Sequence, residues 1–180
     1  MEKRKQVQLH GLMQEFSGQD FREGVEIVNH LVAIYRPLSQ YLKEKISKDK
    51  NSSAARFLSL VDDTYEQGLR VVKQALVVYT TLRKIDPLKL ERDLKKMQKE
   101  LEKLSQDESG ARNGEAQTLS RKVKICQERL KRYRRNEDLL LKMLGRGEQM
   151  IEALENANVD VAMLVEKTGM EFAESDAAKN

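Results

Sequence analysis

Apolar residues recur along this chain at spacings of three and four, and the pattern changes width as it goes. From about Gln19 to Lys48 there are two apolar seams. One runs through Phe21, Val25, Val28, Val32, Tyr35, Leu42 and Ile46; the other through Ile27, Leu31, Ile34, Leu38 and Tyr41. Two seams make a face wider than a two-stranded coiled coil uses, so this helix is expected to touch two neighbours. Pro37 falls inside it and is expected to kink it, because proline lacks the amide donor and crowds the preceding turn. Ser17-Gly18 with Asp20 reads as a shortened capping box that starts the helix.

The polar stretch Lys48–Ser53 reads as a turn, with Ser52 or Ser53 as N-cap of a second two-seamed helix over about 54–84. Asp86-Pro87 then pairs a good N-cap with the residue favoured at the first helical position. Leu90, Leu94, Met97, Leu101 and Leu104 nevertheless keep heptad spacing in phase with Tyr79 and Arg83. Either one kinked helix or two helices satisfies that pattern. From Leu90 on a single seam remains, the narrow coiled-coil type. Residues 105–118 are polar and glycine-containing and read as an exposed loop tip. A last helix over about 119–157 has one seam as far as Tyr133 and widens from Leu139. A short helix over about 159–167 is expected to fold back.

These lengths predict an all-α protein: an elongated three-helix bundle with an antiparallel coiled-coil hairpin arm over about 88–135. Residues 1–18 are expected to be partly ordered at best, 19–169 to form the single helical domain, and 170–180 to be a disordered acidic tail.

Composition agrees with that architecture. Charged residues make up 34% of 180 residues, proline occurs twice and tryptophan not at all. Long helices favour such chains. No apolar run approaches the roughly 18 residues of a membrane-spanning helix, and the basic N-terminus lacks the apolar core of a secretory signal. A single cysteine, Cys126, forbids an internal disulfide, and a cytoplasmic setting is the default expectation. The match to a glycosylation acceptor at Asn51-Ser52-Ser53 is read as chance without such a route.

Net charge is only +4, but its distribution is uneven. Residues 121–146 hold 10 Lys/Arg against 3 Asp/Glu, and residues 147–180 hold 2 against 8. Such asymmetry steers association. Arg121, Lys124, Lys131 and Arg135 fall opposite the seam of the last helix, and Arg129, Arg132 and Arg134 flank them. This stripe is the candidate site for an anionic partner: an acidic protein, anionic lipid heads or nucleic acid phosphates. Tyr133 belongs to the seam, so base stacking on the stripe is not expected. Glu137, at a seam position, is a candidate register pair for Arg83.

Chemistry-bearing clusters are few. His10 and His30 lie apart from Cys126 and from any paired carboxylates. Asp62, Asp63 and Glu66 read as a solvated face, and no phosphate-cradling glycine loop or nucleophile elbow occurs. Neither catalysis, a cofactor nor a metal is expected. The leading expectation is a helical interaction protein, an adaptor or assembly subunit that binds another protein or itself. The alternatives are a peripheral membrane-surface protein and a nucleic-acid-binding protein using the same stripe.

Overall fold

The computed structural model describes residues 2–49, 52–106 and 113–177. Five helices and no strand occur among them: α1 (Glu2–Gly18), α2 (Arg22–Asp49), α3 (Ser52–Leu82), α4 (Pro87–Ser105) and α5 (Asn113–Ala177). Lys50, Asn51 and most of the expected loop tip, residues 107–112, lie outside the described residues. The chain divides into two compact units, Met1–Leu76 with Lys142–Asn180, and Val77–Leu141.

In the first unit, residues 2–18 form a helix where partial order was expected, because α1 has something to bury. Leu12 and Phe16 are buried, and the Phe16 ring meets Phe21 edge-on, with centroids 5.6 Å apart at 86°. The connection is tight. Phe21 N–H donates to the Phe16 carbonyl at 3.0 Å and Asp20 N–H to that of Ser17 at 3.3 Å, while Asp20 adopts φ 55°. These two bonds around one left-handed residue are a Schellman motif, and the Phe16–Phe21 contact is its hydrophobic partner. The expected capping box at Ser17–Asp20 is therefore corrected: those residues end α1 rather than begin α2. Asp substitutes for glycine at the left-handed position because a short polar side chain tolerates it better than most.

Helix α2 continues through Pro37. Its two apolar seams both bury residues, Val28 and Leu42 from one, Ile27, Leu31 and Leu38 from the other. Against α3, the Tyr35 ring stacks on Tyr65 with centroids 3.9 Å apart, and its hydroxyl donates to Asp62 Oδ1 at 2.6 Å.

Two glycines mark close approaches within this unit. A Cβ added at Gly68 of α3 would stand 2.8 Å from Leu31 Cδ1 and 3.4 Å from Met150 Cβ. One added at Gly147 of α5 would stand 3.0 Å from Ile27 Cγ2 and 3.4 Å from Val72 Cγ2. Side chains of α2, α3 and α5 thus meet where a neighbour has no Cβ, which lets backbones approach. At Gly147 the missing side chain is what admits Ile27.

In the second unit the alternative left open at Pro87 is resolved: α3 ends at Leu82 and a new helix begins. Asp86 is its N-cap, accepting from Lys89 N–H at 2.9 Å, with Pro87 at the first helical position. Residues 83–85 close the preceding turn through Arg83 N–H to Tyr79 and Ile85 N–H to Leu82, both at 3.0 Å.

Helix α4 runs antiparallel to the facing stretch of α5. Leu101 shares a groove with Val123, Leu94 shares another with Leu130, and Glu91 pairs with Arg134. Val123, Cys126 and Leu130 are buried, whereas α4 buries no residue fully. That is the economy of a single seam: two helices cover each other on one side and leave the rest to water.

Helix α5 also departs from expectation at both ends. It begins at Asn113, inside the stretch expected as loop, and it continues unbroken to Ala177. Residues 159–167 prolong α5 instead of folding back as a separate helix, and Val161 is buried on its inner face. Residues 170–177 of the expected tail continue the same helix; 178–180 lie outside the described residues.

Candidate functional site

Helix α5 sets the positions of all seven candidate cations, because a three-four seam through Val123, Cys126 and Leu130 leaves its opposite face to polar residues. Arg121, Lys124, Arg129, Lys131, Arg132, Arg134 and Arg135 are all exposed. They do not converge on one point. Three of them, Lys131, Arg134 and Arg135, line one groove of about 380 Å³ with Leu94, Gln127, Leu130 and Asp138. The other four are spread along the outside of the helix.

Chemically the groove is mixed. Leu94 and Leu130 supply apolar surface between the two helices, and the cations stand along its α5 side. Arg134 Nη2 lies 3.2 Å from Glu91 Oε1. Both groups are largely exposed, at 70% and 42% of the side chain, so the pair directs the guanidinium more than it stabilises the fold. A guanidinium held in this way still has donors left for a second carboxylate.

Ile125 belongs to this face as well, outside the expected stripe of cations. It is 61% exposed and stands four residues from both Arg121 and Arg129. The signal was present in the sequence, since Ile125 is out of phase with the seam on either side of it. Leu139 and Leu141 are likewise exposed, where the widening apolar pattern predicts burial. Tyr133 is half-buried on the seam side, and Glu137 is exposed. The Arg83 guanidinium lies 5.9 Å from the centroid of the Tyr79 ring.

The remaining reactive groups stand in structural settings. Cys126 is buried, with Sγ 3.4 Å from the Leu90 carbonyl. His10 and His30 are exposed, and His10 Nε2 lies 3.1 Å from Gln14 Nε2. Asp62 accepts from Tyr35, and Glu66 approaches Arg70 one turn away at 4.0 Å. Among the described residues no group of three His, Cys, Asp or Glu is arranged to hold a metal ion, and no helix is long and apolar enough to cross a membrane.

Comparison with family models, with curated proteins and with solved structures finds no match for this chain.

Proposed function

We propose that the chain is a non-catalytic helical interaction protein, an adaptor or assembly subunit, that holds an acidic protein surface on the basic face of α5. In this reading α2, α3 and the later part of α5 form a three-helix bundle. The α4–α5 pair is an antiparallel coiled-coil hairpin that presents the site.

The observation that carries the reading is the composition of one groove. Leu94 and Leu130 lie between the helices while Lys131, Arg134 and Arg135 stand beside them. Phosphates alone need cations and gain nothing from leucines. An amphipathic acidic helix uses both, placing an apolar side chain in the groove and carboxylates against its rim. The second reading, contact with an anionic membrane surface, draws on Ile125, an exposed apolar residue set among arginines.

The test is a set of titrations of the purified chain, wild type against Lys131→Glu/Arg135→Glu. The probes are a synthetic helical peptide with Glu and Leu at three-four spacing, phosphatidylserine vesicles, duplex DNA and single-stranded RNA. The reading expects saturable binding of the peptide that the double variant loses. Saturable vesicle binding without peptide binding would transfer the site to lipid. Tight binding of DNA or RNA with a steep salt dependence would transfer it to nucleic acid.

A further inference from the structure

We infer that the occupant of this groove is one long amphipathic helix of a partner, laid along the α4–α5 pair as a third strand, with apolar residues seven apart and carboxylates along its α5-facing edge. The inference rests on the protein-binding reading above and names the form of the partner.

Two grooves open between α4 and α5. The first, at Leu94 and Leu130, is the one described above. The second measures about 580 Å³ and is lined by Gln98, Leu101, Glu102, Ser105, Gln106 and Val123. Both belong to the same compact unit, Val77–Leu141. They also lie on the same side of the helix pair. Gln98, Glu102 and Ser105 each follow a seam residue of α4 by one position, as Gln127, Lys131 and Arg134 each follow a seam residue of α5. In an antiparallel pair the residues one past each seam project to a common side. The Glu91–Arg134 pair at 3.2 Å is an instance of that geometry, since Glu91 follows Leu90 and Arg134 follows Tyr133.

The grooves repeat at one heptad. Leu94 and Leu130 floor the first, Leu101 and Val123 the second, and on each helix the two floor residues are seven apart. Seven residues of helix rise about 10.5 Å. A helix set in one groove along the pair therefore continues over the other. Leu94 and Leu101 are only half-buried, and α4 buries no residue fully. A two-stranded seam leaves such leucines open on one side, and a third strand with its own heptad of apolar residues covers them.

The edges of the grooves decide the partner's charge. Along α5, exposed Lys124 follows Val123 as exposed Lys131 follows Leu130, again seven apart, and exposed Arg134 stands on the same line. Along α4 the equivalent positions are Lys95 and Glu102, opposite in sign. The α5 edge thus calls for carboxylates at heptad spacing, and the α4 edge for no single sign. The same unit of a second copy is a poor occupant. Residues 77–141 hold 17 Lys/Arg against 11 Asp/Glu and would set net positive charge against a cationic edge.

The test is calorimetric titration of the full chain with two synthetic peptides of about 20 residues, long enough to span both grooves. One has leucine at every seam position of its heptads and glutamate on both flanks. The other is identical except that its middle heptad has serine for leucine, so no two leucines are seven apart. The first is expected to bind about tenfold tighter or more, because the second fills one groove at a time. Lys124→Glu, at an exposed position beside the second groove, is expected to weaken the first peptide about threefold or more. Circular dichroism checks that the variant keeps its helices.

Equal affinity for the two peptides overturns the inference, and so does a Lys124→Glu variant that binds the first peptide as wild type does. In either case, binding that Lys131→Glu/Arg135→Glu abolishes leaves the interaction reading standing, confined to the groove at Leu94. A wild type that is one chain in mass by light scattering and binds neither peptide overturns both. An oligomeric wild type that binds neither assigns the groove to another copy and overturns the inference alone.

Discussion

The Tyr35 hydroxyl donates to Asp62 Oδ1 at 2.6 Å while the Tyr35 ring lies on Tyr65 at a 9° interplanar angle. One side chain thus ties α2 to α3 twice, by a hydrogen bond and by stacking. Tyr35→Phe removes only the first and is expected to cost about 1 kcal/mol. Tyr35→Ala removes both and is expected to cost about 3 kcal/mol. Urea unfolding of the two variants separates the contributions; equal losses would mean that the hydrogen bond adds nothing to the stack.

Phe16 is fully buried against Phe21. Phe16→Ala is expected to destabilise the chain by about 3–5 kcal/mol, the usual cost of emptying an aromatic core site. Deleting residues 1–18 should uncover Phe21 and lower the thermal midpoint. An unchanged midpoint would mean that α1 is dispensable to the fold.

Asp20 holds the left-handed position of the turn that ends α1. Asp20→Gly is expected to stabilise by about 0.5–1 kcal/mol, because glycine adopts this conformation without a steric penalty. The exposed Arg22–Asp20 pair at 3.2 Å is lost in the exchange and offsets little of the gain. Chemical denaturation reads the sign directly.

Gly68→Ala places a methyl group 2.8 Å from Cδ1 of the fully buried Leu31, which must shift within the core to make room. The expected cost is about 1–3 kcal/mol, against a helix-propensity gain of about 1 kcal/mol from replacing glycine. Gly11→Ala is the control, since its Cβ would meet nothing within 4 Å and only the propensity gain remains. Opposite shifts of the two midpoints are expected in a thermal melt.

Asp86 caps α4 through Lys89 N–H. Asp86→Ala is expected to cost about 1 kcal/mol, and Asp86→Ser to cost less, because serine also accepts at an N-cap. Hydrogen exchange should show faster exchange in the first turn of α4 for Asp86→Ala alone.

The helical character of the chain was legible from spacing, but not the number of helices. The double seam of α2 and the polar outer face of α5 are periodic facts of the chain that reappear as a buried and an exposed helix face, whereas Leu60 on the α3 pattern is 57% exposed and α4 buries no residue fully. The ends were less legible. Ser17-Gly18-Asp20 supports either a helix start or a helix stop, and the choice fell to Phe16 meeting Phe21 across the turn. The polar stretch 113–118 and the segment after Ala157 lack strong seams, so periodicity alone could not show that α5 continues through them. For the site, the seven cations were legible because charge opposite a seam is exposed. The grouping of Lys131, Arg134 and Arg135 around Leu94 was not, since it depends on how α4 faces α5.

By itself the sequence determined that the chain is helical, where its apolar faces lie, that Asp86-Pro87 suits a helix start and that its later part is charged oppositely in two stretches. Each follows from local chemistry: side-chain period, capping geometry, proline's missing amide and ionisation. Tertiary structure decided what local chemistry leaves degenerate. It made the turn at Asp20 the end of α1, placed Gly68 and Gly147 where neighbouring side chains need room, separated α3 from α4 despite a continuous seam, and left Ile125 and Leu141 in solvent. Those outcomes depend on which surfaces meet, and contact between distant residues is not encoded in the spacing of near ones.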